Sequence, residues 1–126
     1  LQEMDTAAKL HKVHRLDPTV MDARTVVDLA TRMGARVLGM ERLVGILRPG
    51  MKADIVIIDL DRPHLTPIYH EHSHIVYAAT GADVETVLIN GNVVMKNREL
   101  LTIDEEQVMA RVREIARRIR KSLNLP

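Results

Sequence analysis

Three alternating histidines, His70, His72 and His74, are the residues of this 126-residue chain best suited to chemistry. Imidazole binds metals and exchanges protons near neutral pH. In an extended chain all three side chains would project from one face. They could then hold zinc if water, or a carboxylate such as Glu71 from a neighbouring molecule, completed the coordination. Because the loop-like stretch Arg62 to Pro67 precedes them, structural or surface roles are the simpler interpretation, and the metal site is the alternative.

The other polar constellations give no complete catalytic site. His11 and His14 lie three residues apart, a spacing that can chelate on a helix, but the sequence shows no second pair to complete a site. Asp59 and Asp61 lie at a strand end, where solvated carboxylates are common. The nucleophile elbow G-x-S-x-G, the S-x-x-K motif, the P-loop and G-x-G-x-x-G are all absent. From the chemistry alone, we therefore expect no self-sufficient catalytic site in this chain.

Composition limits the classes of partner. The formal charge of +1 gives no electrostatic reason to expect nucleic acid or an anionic membrane. With two tyrosines as the only aromatic residues, platforms for base stacking are missing. The absence of cysteine removes disulfides, thiolate zinc sites and cysteine nucleophiles, and it fits a cytoplasmic protein. No aliphatic run approaches the ~20 residues that span a bilayer.

The spacing of apolar residues predicts three helices, the first of which carries His11 and His14. The apolar spacing predicts helices over 2–14, 22–33 and 104–121. Asp22 is a candidate N-cap of the second helix, Gly34 can end or bend it, and Thr102 with Glu105 predicts a capping box before the third. The first helix has no capping residue and no initiator methionine before it, so we expect a fragment of a longer protein.

The middle of the chain changes to strand periodicity. Strands are predicted near 54–59, 86–90 and 92–96, with a two-residue turn at Asn90-Gly91, because a type I′ turn needs positive φ at both central residues. The run Ile55 to Ile58 is typical of a strand buried on both faces. Periodicity cannot decide between strand and helix for 73–79.

Three blocks resemble the metal-dependent amidohydrolases. Leu29 to Gly39 is similar to that family's A-T-x-x-G-A-x-x-L-G segment, and Val44 to Asp59 to its I-G-x-L-x-x-G-x-x-A-D-L-V-x-x-D segment. Ser73 to Gly91 resembles the closing segment of the branch that deaminates or dechlorinates nitrogen heterocycles, the cytosine deaminase and chlorohydrolase branch. Asp61 to Pro67 and Leu10 to His14 are similar to the 5′-methylthioadenosine/S-adenosylhomocysteine deaminases.

The matched blocks contain glycines and carboxylates with structural roles. Gly50 can supply a positive φ, and Gly45 lets the backbone pass close to a neighbour. Asp54 and Asp59 could accept hydrogen bonds from loop amides. The structural motif residues are Gly34, Gly39, Gly45, Gly50, Asp54, Asp59, Asn90 and Gly91.

The resemblance implies a fold larger than this chain. In the family a (β/α)₈ barrel holds a divalent metal, zinc or iron, at the carboxyl ends of its strands, beside a small β-sandwich built from both ends of the polypeptide. None of the family's metal-ligand motifs is present here, so no metal is expected in this chain. Within an α+β fragment, we expect the last outer barrel helices over 1–43, the C-terminal share of the sandwich over 44–101, and a C-terminal helix over 102–126.

The implied activity is hydrolytic deamination of an adenine-type nucleoside by the parent enzyme. A metal-held hydroxide would attack the amino-bearing ring carbon, and every residue that does this would lie upstream of this chain. The partners expected are a small nucleoside and either the missing barrel or a second copy. The alternatives are a stand-alone, non-catalytic α+β interaction module and a small metal-binding module built on the three alternating histidines.

Overall fold

The computed structural model, which describes residues 1–123, contains α-helices and a small antiparallel sheet. The helices are α1 (Gln2–Arg15), α2 (Ala23–Asp28), α3 (Gly34–Val37), α4 (Glu71–Tyr77) and α5 (Glu105–Ser122). The strands are β1 (Ile55–Ile58), β2 (Val84–Ile89), β3 (Asn92–Lys96) and β4 (Glu99–Leu100), and short 3₁₀ turns cover Pro63–Leu65 and Gly81–Asp83. These residues have the expected α+β architecture.

The helical core is built from small side chains. Ala8 of α1, Ala23 and Val26 of α2, and Val76 of α4 form its buried cluster. The side chain of Asp22 accepts a hydrogen bond from the backbone N–H of Thr25 at 3.0 Å, which confirms Asp22 as the N-cap of α2. The region 73–79, which periodicity left undecided, belongs largely to helix α4.

The second helix does not stop at Gly34. A π-helical turn over Leu29–Met33 follows α2, and α3 continues directly from it to Val37. Gly34 itself has a right-handed helical φ of −58°. Gly34 therefore does not end the helix, and bending stays the second role that the sequence allows, since π turns are sites where helices bend.

The sheet has the strand order β1-β2-β3-β4, with antiparallel neighbours. Asn90 and Gly91 form the predicted turn between β2 and β3, with φ of 50° and 81°. The strand β4, which was not among the predicted strands, adds two residues at one edge. Strand β1 forms the opposite edge and pairs with β2 alone within the described chain.

Helix α5 begins at a different cap from the predicted one. The Asp104 carboxylate accepts a hydrogen bond from the backbone N–H of Gln107 at 2.9 Å. The capping box from Thr102 to Glu105 was wrong, because Asp104 is an equally good capping residue and lies next to the first helical turn. Every residue of α5 is exposed. Across residues 1–123, the structure contains no helix with the length and apolar character needed to cross a membrane.

Candidate functional site

The three alternating histidines do not form an extended array. His70 precedes α4 as its N-cap, and His72 and His74 lie within the helix. Side chains two positions apart on a helix point to nearly opposite sides, so His72 and His74 do not share a face. The ring nitrogens of His74 lie 3.1 Å from the backbone oxygens of His70 and Pro67. His74 therefore joins the start of α4 to the loop before it.

The described residues offer no metal-binding cluster. Within 1–123, no group of three or more histidine, cysteine, aspartate or glutamate side chains is placed to hold a metal ion. His11 and His14 are exposed on α1. The donor sets present therefore do not fit the metal that the resemblance implies.

A buried carboxylate, that of Asp83, organises a polar cluster at the end of β1. Asp83 is 3% exposed. Its Oδ2 accepts hydrogen bonds from the backbone N–H of Thr80 at 2.7 Å and from the Thr80 hydroxyl at 3.0 Å, and it lies 3.1 Å from Nε2 of His64. This cluster was not predicted from the sequence, although Thr80-x-x-Asp83 has the spacing of a capping box.

These contacts stabilise the ionised form of Asp83. The hydrogen bond from the Thr80 backbone lowers the pKa of the carboxyl below its ordinary value of 3.8, with a further contribution from His64, and burial opposes the shift. The cluster joins the turn Pro63–Leu65 to the turn Gly81–Asp83 across the end of β1, where the backbone N–H of Asp59 also donates to the Asp83 carbonyl at 2.8 Å. The arrangement thus holds two turns together at the end of β1.

We expect Asp83→Asn to lower the unfolding midpoint by several degrees at neutral pH, because the amide replaces an ionised acceptor of several hydrogen bonds. Since the pKa of Asp83 is lowered in the folded protein, its ionised form stabilises the fold fully above the unfolded pKa, and this stabilisation is lost as the pH falls through the folded value. The difference between the two proteins should therefore shrink as the pH falls from neutral to 3.8, the ordinary pKa of the carboxyl, and below it. A pH-independent difference in thermal unfolding would contradict this role.

The predicted structural carboxylates and glycines hold turns around the sheet. Oδ1 of Asp54 accepts a hydrogen bond from the backbone N–H of Asn90 at 2.6 Å, and Oδ1 of Asp59 accepts one from the N–H of Asp61 at 3.0 Å. Both carboxylates thus accept from loop amides, as expected. Gly39 and Gly50 have positive φ values of 67° and 88°.

At Gly45 the loop after α3 passes close to the π-helical turn. Its φ is 99°, and a β-carbon at this position would lie 2.8 Å from Cβ of Ala35 and 3.0 Å from the backbone oxygen of Thr31. The neighbouring residues Val44 to Leu47 line a groove together with α3 and β1. Only glycine allows this approach without displacing the π turn.

Comparison with known proteins relates the chain to hydrolases. The sequence profile of the Amidohydrolase family matches residues 1–94. The chain is 62% identical over 125 residues to the 5-methylthioadenosine/S-adenosylhomocysteine deaminase 1 of Syntrophus aciditrophicus, covering 99% of this chain and 28% of that protein. It is 42% identical to the 5'-deoxyadenosine deaminase of Methanosarcina barkeri, over 98% of this chain and 28% of that protein. The chain thus spans little more than a quarter of the length of these relatives.

Solved structures share the fold. An adenosine deaminase from Xanthomonas campestris with bound zinc superposes with a TM-score of 0.89 and 37% identity, over 94% of this chain and 27% of that one. The atrazine chlorohydrolase of Arthrobacter aurescens complexed with zinc superposes with a TM-score of 0.78 over 87% of this chain and 24% of that one, and at 24% identity it shows the fold alone. With a family profile that matches three quarters of its length, the chain belongs to the amidohydrolase family.

Proposed function

We propose that this chain is the C-terminal portion of a metal-dependent aminohydrolase that deaminates an adenine-type nucleoside, such as 5′-methylthioadenosine or S-adenosylhomocysteine. In this reaction water would add to the amino-bearing ring carbon, and the amino group would leave as ammonia. The observation that carries the proposal is the 62% identity to a deaminase of this specificity along nearly the whole chain. We also propose that the parent enzyme is cytoplasmic.

In this proposal the chain supplies the scaffold and no catalytic group. Residues 1–43 would be the last outer helices of a (β/α)₈ barrel, and 44–101 the C-terminal share of a composite β-sandwich. The C-terminal helix predicted over 102–126 would correspond to α5, and residues 124–126 of that prediction lie outside those that the structure describes. The divalent metal, zinc or iron, would be held by residues of the parent outside this chain. Support comes from the glycines and carboxylates of the motif blocks, which hold turns.

A chimera tests the proposal. The matching C-terminal part of the Syntrophus aciditrophicus deaminase is replaced by this chain, and ammonia release from 5′-methylthioadenosine is measured. We expect kcat/KM within about tenfold of the parent enzyme, because the exchanged part touches no reacting atom. The isolated chain, as control, should release no ammonia and should retain no stoichiometric zinc after dialysis.

A folded, zinc-loaded chimera without activity towards adenine nucleosides would contradict the proposed function. One tightly held zinc per isolated chain, lost in His72→Ala, would instead favour the module built on His70, His72 and His74. A folded, inert isolated chain that binds another protein would favour the stand-alone interaction module.

A further inference from the structure

Helix α5 presents an apolar stripe that nothing in the described chain covers. The stripe consists of Val108, Val112, Ile115 and Ile119, which repeat at intervals of four, three and four residues and therefore lie along one face. All four side chains are exposed, Val112 by 58%. An isolated helix of 18 residues is marginal in water, so a helix with this pattern obtains most of its stability by packing the stripe against another surface.

Arginines border one side of the stripe. Arg111 lies three residues after Val108, and Arg118 lies three residues after Ile115, so both are neighbours of the stripe on the helix surface. Glu114 lies between the two arginines, with its Oε2 2.6 Å from Nη1 of Arg111 and its Oε1 4.0 Å from Nε of Arg118. One carboxylate thus faces two guanidinium groups, and this edge keeps a positive charge.

A second copy of α5 is a poor match for this surface. In an antiparallel pair, Val108 would face Ile119 of the second copy, and Val112 would face its Ile115. That register places each Arg111 beside an Arg118 of the other copy, so like charges meet twice. A parallel pair would place the two helix dipoles side by side in the same direction, which is unfavourable.

Part of helix α5 superposes on a related enzyme. The superposition on the Xanthomonas campestris adenosine deaminase covers 94% of this chain, which is more than the residues outside α5 can supply, so it includes part of α5. Nearly three quarters of that enzyme lies outside the superposed region. A helix that stays in position without being buried by this chain is held by something beyond it.

We propose that the α5 stripe docks into an apolar groove on the preceding part of the same polypeptide, and that carboxylates line the groove on the side facing Arg111 and Arg118. The inference rests on the proposed function, because it takes the rest of the parent enzyme as the partner. Valine and isoleucine supply the buried contacts, and the arginines fix the orientation of the helix. The stripe lacks the aromatic side chains that anchor many helices at a lipid surface, which favours the protein groove over a membrane.

Amide hydrogen exchange of residues 105–122 in the chimera tests the stripe. Val112→Arg adds a charge to the stripe, and Ala110→Arg adds the same charge to the opposite face of the same turns. We expect Val112→Arg to accelerate exchange in α5 by about tenfold or more and Ala110→Arg to change it less than about twofold, because only the first variant undocks the helix.

Adjacent arginines test the charged edge. Arg118→Glu reverses the charge beside the stripe, whereas Arg117→Glu makes the same change on the far face. We expect faster exchange for Arg118→Glu alone, with an effect that weakens as salt is raised. The proposal would be overturned if α5 exchanged equally fast in Val112→Arg and Ala110→Arg, and equally fast in Arg118→Glu and Arg117→Glu. So would a dimer that Val112→Arg dissociates, or protection of α5 by anionic phospholipid vesicles alone.

The experiments distinguish a failure of the proposed function from a failure of the docking site. The chimera could be inactive while its α5 amides are protected from exchange and lose that protection in Val112→Arg. This result would reject the proposed activity and keep the docking site. An active chimera in which the α5 amides exchange at unprotected rates would reject the docking site alone.

Discussion

Gly45→Ala should destabilise the chimera by about 2–5 kcal/mol, because the substitution combines backbone strain with overpacking. Gly45 has a φ of 99°, and its added β-carbon would lie 2.8 Å from Cβ of Ala35, 3.0 Å from the Thr31 oxygen and 3.2 Å from Cα of Arg32. Two of these three atoms belong to the backbone of the π turn, which cannot rotate away as a side chain can. The loss is a large part of the ~5–15 kcal/mol that stabilises a typical domain.

Gly50→Ala separates the two causes. Gly50 has a similar φ of 88°, but a β-carbon there would meet no atom within 4 Å. We expect this variant to lose only about 1–2 kcal/mol, the cost of a left-handed conformation for alanine. Chemical denaturation of both variants gives the comparison. Equal losses would show that the close approach at Gly45 contributes nothing beyond its φ.

The π turn illustrates what the sequence alone cannot predict. The apolar spacing located the helix and Asp22 located its start, since both signals are local. The extra residue in the turn Leu29–Met33 packs beside Gly45, which lies twelve or more residues further along the chain. Local periodicity contains no information on that contact, so the sequence left the role of Gly34 open between ending and bending the helix.

Three other features show the same difference between local signals, which the sequence contains, and contacts between distant residues, which it does not. The turn at Asn90-Gly91 was predictable because two adjacent residues determine its backbone conformation. The cap of α5 was wrong because Thr102 and Asp104 are both good capping residues, and the path of the chain after β4 selects between them. The cluster around Asp83 could be located only in part: Thr80-x-x-Asp83 is visible in the sequence, but the contact with His64 joins residues 19 positions apart.

The isolated chain is expected to associate through strand β1, or else to be only marginally folded. Val56 and Ile57 are 56% and 44% exposed, and neighbouring residues on a strand point to opposite faces, so both faces of β1 lack part of their cover. Complete burial of such side chains is worth roughly 1.5–3 kcal/mol each. One edge of β1 is also unpaired within the described chain, and an unpaired edge is a template for a further strand.

Two lysine substitutions test the role of this edge. Val56→Lys places a charge on β1, whereas Ile89→Lys places one at a similarly exposed position on β2, which has β1 and β3 on its two sides. Sedimentation over a range of concentrations should show masses above one copy for the wild-type chain and for Ile89→Lys, and a reduced mass for Val56→Lys, because a charged edge resists strand pairing. Circular dichroism distinguishes a dissociated fold from an unfolded one. A compact, stable wild-type monomer at all concentrations would contradict the prediction, since its exposed strand would then need no cover from a second copy or from the parent enzyme.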